Sequence, residues 1–220
     1  MYDPDKFTAK AARRQPLQAR GKERVRTILA AALELFKERG MEDVTTNDIA
    51  ERARVPIGSL YRYYPNKDTI VIAITELVVD DLSRIFREIG RHPFLEHLSW
   101  DEVLLLLTDS WVNYSRLNGP FAFLYAEYTN PRLRELNRET WQRFMAAFNE
   151  VIKKRCPSTT ERELAVCFRL ILASVDIGLN PAFDAFPGPP LHHEAVGAVA
   201  SYMLASCNRH KDHIRTQPAG

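Results

Sequence analysis

The chain has 220 residues, 45% of them hydrophobic and 26% charged, with a formal net charge of +2. These are ordinary globular values, and a chain this long buries roughly 70–75% of its unfolded surface without needing a metal or disulfide staple. They exclude collagen-like, disordered and disulfide-scaffold classes.

The charge is unevenly placed. From Lys6 to Lys67 there are fourteen basic and seven acidic side chains, and from Val71 onward sixteen basic against eighteen acidic. A basic first third on a near-neutral body points to a polyanion bound at one end. The densest part holds Lys6, Lys10, Arg13, Arg14, Arg20, Lys22, Arg24 and Arg26 against the single acid Glu23. Taken alone, it reads equally as a solvated tail.

Helical patterning follows almost without interruption. Val25, Ile28, Leu29, Ala32 and Phe36 form one stripe, and Gly40 stands where a left-handed C-cap belongs. A longer stripe, Ile70, Ile74, Leu77, Val78, Leu82, Ile85 and Ile89, predicts a helix capped by Asn66 and ended by Gly90 and Pro93. Ser99 and Glu102 form a capping-box pair ahead of Val103 to Leu117, which Gly119-Pro120 terminates. A short aromatic segment, Phe121 to Tyr128, comes next. Asn130 and Pro131 then open a helix to about Lys154, which Pro157 breaks. Thr160 and Glu163 open an apolar helix to about Leu179. Four prolines and a glycine make Asn180 to Pro190 irregular, and a last helix covers about His192 to Asn208. The class is all-α, with about nine helices.

Between the first two stripes lies TTNDIAERARVPIGSLYRYYPNK, from Thr45 to Lys67. Thr46 is expected to cap a two-turn helix whose inward face is Ile49, Ala50 and Ala53. A break at Arg54-Val55-Pro56 precedes a second short helix from about Ile57 to Tyr63. Ala50 permits a close crossing, and Val55 and Leu60 would fill the angle. That is the pattern of a helix-turn-helix, led on its second helix by the small residues Gly58 and Ser59.

The stretch from about Gly21 to Leu82, with Leu60-Tyr61-Arg62-Tyr63-Tyr64 and Asn66-Lys67, resembles the DNA-binding domain of the tetracycline-repressor (TetR) family. The resemblance implies a flexible basic arm (1–20), a DNA-binding domain (21–81), an effector-binding and dimerisation domain (82–210) and a tail (211–220). It implies backbone or base contacts from Thr45, Thr46, Asn47, Ile57, Gly58, Ser59, Tyr61, Arg62 and Tyr63. Tyr61 resembles the tyrosine that offers its hydroxyl to the DNA backbone, and Lys67 the lysine that clamps a phosphate. Arg13, Arg14, Arg20 and Lys22 would form the DNA arm. Tyr64 is expected to pack inward. Arg54 departs from the family's pattern, standing where a glycine is usual; a non-glycine residue in a left-handed turn costs about 1 kcal/mol.

A two-turn recognition helix reads few base pairs, so a two-fold dimer on a palindromic operator is expected. The helix from Glu163 to Leu179 is apolar on more than one face, and the last helix carries Ala195, Gly197, Ala198, Ala200, Ser201 and Ala205. The resemblance implies that these two helices form the homodimer interface. It also implies a small-molecule effector, mainly apolar or aromatic, held among Leu107, Trp111, Tyr114, Phe121, Leu124, Tyr125, Tyr128, Trp141, Phe144 and Phe148, with Asp176 as a polar anchor.

Other classes find little support. The six histidines are scattered, no Cys/His cluster has zinc spacing, and no phosphate loop or nucleophile elbow appears. The expectation is a regulator rather than an enzyme, with no cofactor or metal beyond the effector. A ligand-independent or activating regulator, or a thiol- or metal-sensing one, is the alternative. The longest strictly aliphatic run, Val103 to Leu107, is far short of the ~20 residues that span a bilayer. The opening residues lack a signal-peptide core. Three scattered cysteines (Cys156, Cys167, Cys207) suit a reducing compartment. A soluble cytoplasmic protein, brought to the nucleoid by DNA, is expected.

Overall fold

A computed structural model describes residues 19–118, 135, 137–180, 182 and 188–216. Among them it forms α-helices, with short 3-10 turns besides: α1 (Ala19–Arg39), α2 (Thr46–Arg52), α3 (Ile57–Tyr63), α4 (Lys67–Arg91), α5 (Trp100–Asn118), α6 (Arg138–Arg155), α7 (Glu161–Leu179) and α8 (Leu191–Thr216). The eight helices among the described residues bear out the all-α class, close to the nine expected. The segment 121–128, the helix start at Asn130-Pro131 and most of the 180–190 loop lie outside the described residues. None of the described helices is long and apolar enough to cross a membrane.

The chain divides into two compact units, Met1–Asp81 with Arg116–Trp141, and Leu82–Ser115 with Gln142–Gly220. In the first, α1 buries its predicted stripe (Val25, Ile28, Leu29, Ala32, Phe36) together with Leu35. Gly40 ends it at φ +81°, its amide donating to the Phe36 carbonyl at 3.0 Å. Ile49, Ala50, Leu60, Tyr64, Ile70 and Ile74 complete this core. Asn66 caps α4 as expected, its side-chain oxygen accepting from the Thr69 amide at 3.0 Å. On α1 and α2, Arg52 grips Glu38 with two hydrogen bonds, which hold the Glu38 carboxyl below its ordinary range.

The second unit is built on aromatic packing. Trp111 (α5), Phe144 and Phe148 (α6), Phe168 (α7) and Phe86 (α4) are all buried. Trp111 meets Phe144 edge-on at 4.8 Å between centroids, Phe86 stacks on Phe144 at 5.4 Å, and Phe148 meets Phe168 at 5.3 Å. Both predicted capping boxes are present: Ser99 with Glu102, and Thr160 with Glu163.

Gly90 departs from expectation. It lies inside α4 and does not end it, because α6 approaches there: an added Cβ would stand 3.2 Å from Val151 Cγ2. In the last turn of α6, Lys154 donates to the Gly90 carbonyl at 2.8 Å and Arg155 to the Glu96 carbonyl of the 3-10 turn (Pro93–Glu96) at 2.6 Å, so α6 satisfies one carbonyl at the end of α4 and one in the turn that follows.

The cysteines are also placed differently from the sequence reading. Cys156, just after α6, is disulfide-bonded to Cys207 on α8 across 51 residues of chain, with Cα atoms 6.2 Å apart. Cys167 is free and buried, and burial pushes its thiol up to about 12.

Candidate nucleic-acid interface

The helix-turn-helix is closed by main-chain hydrogen bonds. The Arg54 amide donates to the Glu51 carbonyl and the Val55 amide to the Ala50 carbonyl, both at 3.0 Å. That pair is a Schellman motif, whose C′ residue must be left-handed; here it is Arg54, at φ +52°. The predicted left-handed turn is therefore real, without the glycine that usually relaxes it. Arg54→Gly is expected to raise the melting temperature by about 2–4 °C, from about 1 kcal/mol of relieved strain. A fall in a thermal melt would show that the arginine side chain stabilises the turn by more than its backbone strains it.

The N-cap of α2 is Thr45, one residue earlier than expected. Its hydroxyl accepts from the Asp48 amide at 3.2 Å, and Asp48 accepts from the Thr45 amide at 2.8 Å. The Thr45 hydroxyl also donates to the Asp48 carboxylate at 2.5 Å, and this bond foremost, with that from the Thr45 amide, holds the Asp48 carboxyl below the usual carboxylate range. The box is thus intact at neutral pH and lost as acid protonates Asp48. Thr46 is freed by this register. Its hydroxyl lies 3.0 Å from the Tyr61 hydroxyl, which pairs the start of α2 with the exposed side of α3.

On α3, Ile57, Gly58, Tyr61 and Arg62 are exposed, as is Asn47 on α2. No side chain caps α3. Ser59 accepts from Arg24 of α1 at 3.0 Å. In the sequence Arg24 is one of a basic run; its reach across to α3 is a tertiary fact. Gly58 carries the most information. Its φ is not in the left-handed region, and an added Cβ would meet nothing within 4 Å. Nothing among the described residues requires glycine there, although glycine weakens a helix by up to about 1 kcal/mol relative to alanine.

Other expected contacts are placed differently. Tyr63 is buried, with the Arg62 guanidinium over its ring at 5.1 Å and donating to its hydroxyl at 3.2 Å. Tyr64 packs inward as expected, and burial pushes its phenol well above its ordinary range. The Lys67 ammonium donates to the carbonyls of Met41 (2.8 Å) and Glu42 (3.3 Å), a tie to the α1–α2 loop that explains a cation in the first turn of α4. Of the arm, Arg13 and Arg14 lie outside the described residues, Arg20 falls in the first turn of α1, and Lys22 is exposed.

Among the effector residues, Leu107, Trp111, Phe144 and Phe148 are buried in the second unit and Trp141 in the first, while Tyr114 is half-buried. Phe121, Leu124, Tyr125 and Tyr128 lie outside the described residues. Asp176 is exposed on α7. Ser83, Thr108 and Ser115 are buried in the second unit, and their hydroxyls find no hydrogen-bond partner among the described residues. Thr108 and Ser115, two turns apart on α5, lie either side of Trp111.

One further cluster has no signature in the sequence. Histidines 192 and 193, which looked unconnected to any ligand set, both reach Asp109 from the first turn of α8. Only the packing of α8 brings residues 83 positions apart together.

Residues 28–74 match the family model of bacterial regulatory proteins of the tetR family. The repressors KstR and KstR2 of Rhodococcus jostii (strain RHA1) are each 41% identical, over 75 and 62 residues, or 33% and 28% of this chain. Those alignments span 32% and 30% of the two relatives, so the chain covers about a third of their length. A transcriptional regulator of Bacillus subtilis (strain 168), YvaF, is 26% identical over 170 residues, covering 76% of this chain and 84% of its own. Among solved structures, a tetR-family regulator from Streptomyces coelicolor superposes with a TM-score of 0.67 at 20% identity, over 87% of this chain and 85% of that one. FadR from Bacillus subtilis, crystallised with stearoyl-CoA, does so at 0.59 and 16%, over 80% and 96%. The Schellman-closed helix-turn-helix thus lies inside a segment that matches the tetR family of bacterial regulatory proteins, and the chain as a whole shares the fold of these structures.

Proposed function

We propose that the protein is a homodimeric, sequence-specific transcriptional regulator, a repressor that a small, mainly apolar or aromatic molecule releases from a palindromic operator. The observation that carries the DNA reading is Gly58, an exposed glycine in a recognition-type helix with open space where its Cβ would be. Such a residue serves a surface outside the chain, and a base edge or phosphate is what the first turn of a recognition helix meets. Around it, Arg24, Asn47, Ser59, Arg62 and the Thr46–Tyr61 hydroxyl pair supply donors for the DNA backbone and bases. Such a protein would act in the cytoplasm, at the nucleoid.

Dimerisation through α7 and α8 is supported by what those helices leave uncovered. Leu170 and Leu204 are 42% and 52% exposed, beside the exposed small residues Ala165, Ala173, Ala198, Ser201 and Ala205. Small residues allow two such faces to approach closely, and two copies supply the two half-sites. Asp176 lies exposed on the same α7, which fits an interface role better than that of a pocket anchor.

The effector reading rests on the aromatic cluster together with the unspent hydroxyls of Ser83, Thr108 and Ser115. Buried polar groups normally find partners, so these are places where a ligand's polar atoms would be received. FadR, a structure of the same fold, holds an acyl-CoA, which agrees with an apolar effector. Coupling would run along α4, which is covalently common to both units. A coupling of ~1–3 kcal/mol changes operator affinity about 5- to 150-fold.

The test is selection of bound sequences from random duplexes at two salt concentrations. An enriched palindrome, with affinity falling steeply as salt rises, is expected. A folded dimer that enriches nothing would overturn the reading.

A further inference from the structure

We propose that Asp109, His192 and His193 form a binding site for a divalent transition-metal ion of the zinc type. Both imidazoles present Nε2 to one and the same carboxylate oxygen: His192 at 2.9 Å and His193 at 3.0 Å from Asp109 Oδ1. The rings stand nearly perpendicular, 4.5 Å apart at their centroids, so their nitrogens converge without the rings stacking. One ligand atom from each of the three residues lies within 4.8 Å of the others.

These spacings suit a metal. Zinc bonds nitrogen and carboxylate oxygen at about 2.0–2.2 Å, which sets ligand atoms of a tetrahedral site roughly 3.3–3.5 Å apart. A cation entering here needs each N···O contact to open by about 0.4 Å, a change within reach of side-chain torsions. Two imidazoles and one carboxylate favour zinc, cobalt, nickel or copper, whereas magnesium and calcium prefer all-oxygen shells. Three protein ligands leave a fourth position for water or another small ligand.

The surroundings are shaped to hold the cluster. The His192 side chain is 7% exposed, while His193 and Asp109 remain about a third exposed, which gives an ion a route in. Gly178 on α7 makes room for the His192 ring: an added Cβ would stand 3.0 Å from its Cγ and Nδ1 and 2.8 Å from Val112 Cγ2. The imidazole thus occupies a gap that any side chain at 178 would fill. The site joins α5 to the first turn of α8, and Asp109 is two residues from Trp111. A bound ion would fasten the aromatic cluster's α5 to the C-terminal helix. The site stands on these side chains alone and does not depend on the DNA-binding reading.

The test uses the full chain, stripped with EDTA and kept free of added thiols, titrated with Co2+ and then Zn2+ at constant pH. One Co2+ per chain is expected, with visible absorption bands of tetrahedral strength that Zn2+ abolishes, and Zn2+ is expected to raise the melting temperature. His193→Ala and Asp109→Asn, at partly exposed positions, should fold and lose more than about 100-fold in affinity, beyond the effect of altering an outer-shell group. His192→Ala is omitted because its buried ring also packs against α7. Absence of one-to-one uptake by the unaltered chain would overturn the proposal and leave the trio a hydrogen-bonded cluster. Uptake undiminished in both variants would overturn it too, by placing the ion elsewhere.

Discussion

Gly58→Ala is expected to stabilise the protein and, at the same time, to cripple its binding to DNA. The Cβ enters open space, so the fold gains helix propensity, about 0.5–1 kcal/mol, seen as a rise of about 1–3 °C in melting temperature. On DNA the same methyl holds the first turn of α3 away from the base edges. A loss of ~1.4 kcal/mol at each of two half-sites weakens operator binding about 100-fold. No charge is removed, so the salt dependence should keep its slope, which separates this effect from loss of a phosphate contact. Thermal melts and fluorescence anisotropy on the selected operator measure the two halves. Unchanged operator affinity would mean that α3 does not meet DNA through its first turn, and the assignment of base-reading positions would fall.

Reduction of the Cys156–Cys207 bond should produce the largest change in stability. It closes a loop of 51 residues, and the chain-entropy relation gives about 4 kcal/mol for a loop of that size. For a chain of this length that is a fall of about 10 °C in melting temperature. Cys156→Ser and Cys207→Ser should each reproduce the fall, and the double variant should add little, since either change removes the same bond. Cys167→Ser serves as the control: its thiol is buried and resists ionisation, so it takes no part in exchange. Intact mass with and without reductant counts the two hydrogens gained. A melting temperature that ignores reductant would show that the two cysteines are unbonded in solution, as a reducing compartment would keep them.

Much of this architecture was legible in the sequence because its determinants are local. Gly40, Asn66, the Ser99–Glu102 pair and the Thr160–Glu163 pair act within three or four residues of a helix end, and each does so in the structure. The stripes on α1 and α4 are periodic and need no knowledge of their partners. Even the left-handed turn at Arg54 could be expected, because it arises within five residues of chain. What the sequence left open depends on groups brought together from far apart. Thr45 displaces Thr46 as the cap, and Thr46 instead meets Tyr61 of the next helix. Lys67 resembles a phosphate-clamping lysine in the sequence, and only the fold brings it to the Met41 and Glu42 carbonyls of the α1–α2 loop. Gly90 read as a terminator because glycine often is one, whereas the close approach of α6 is its reason here. Phe86 and Phe168 join Trp111, Phe144 and Phe148 only through the crossing of four helices. The Cys156–Cys207 bond and the meeting of Asp109 with His192 and His193 span 51, 83 and 84 residues. Helix periodicity says which face turns inward, but not what it meets there. That is decided by the packing of whole helices, and packing is what placed the arginine beside Ser59 and the two imidazoles on one carboxylate oxygen.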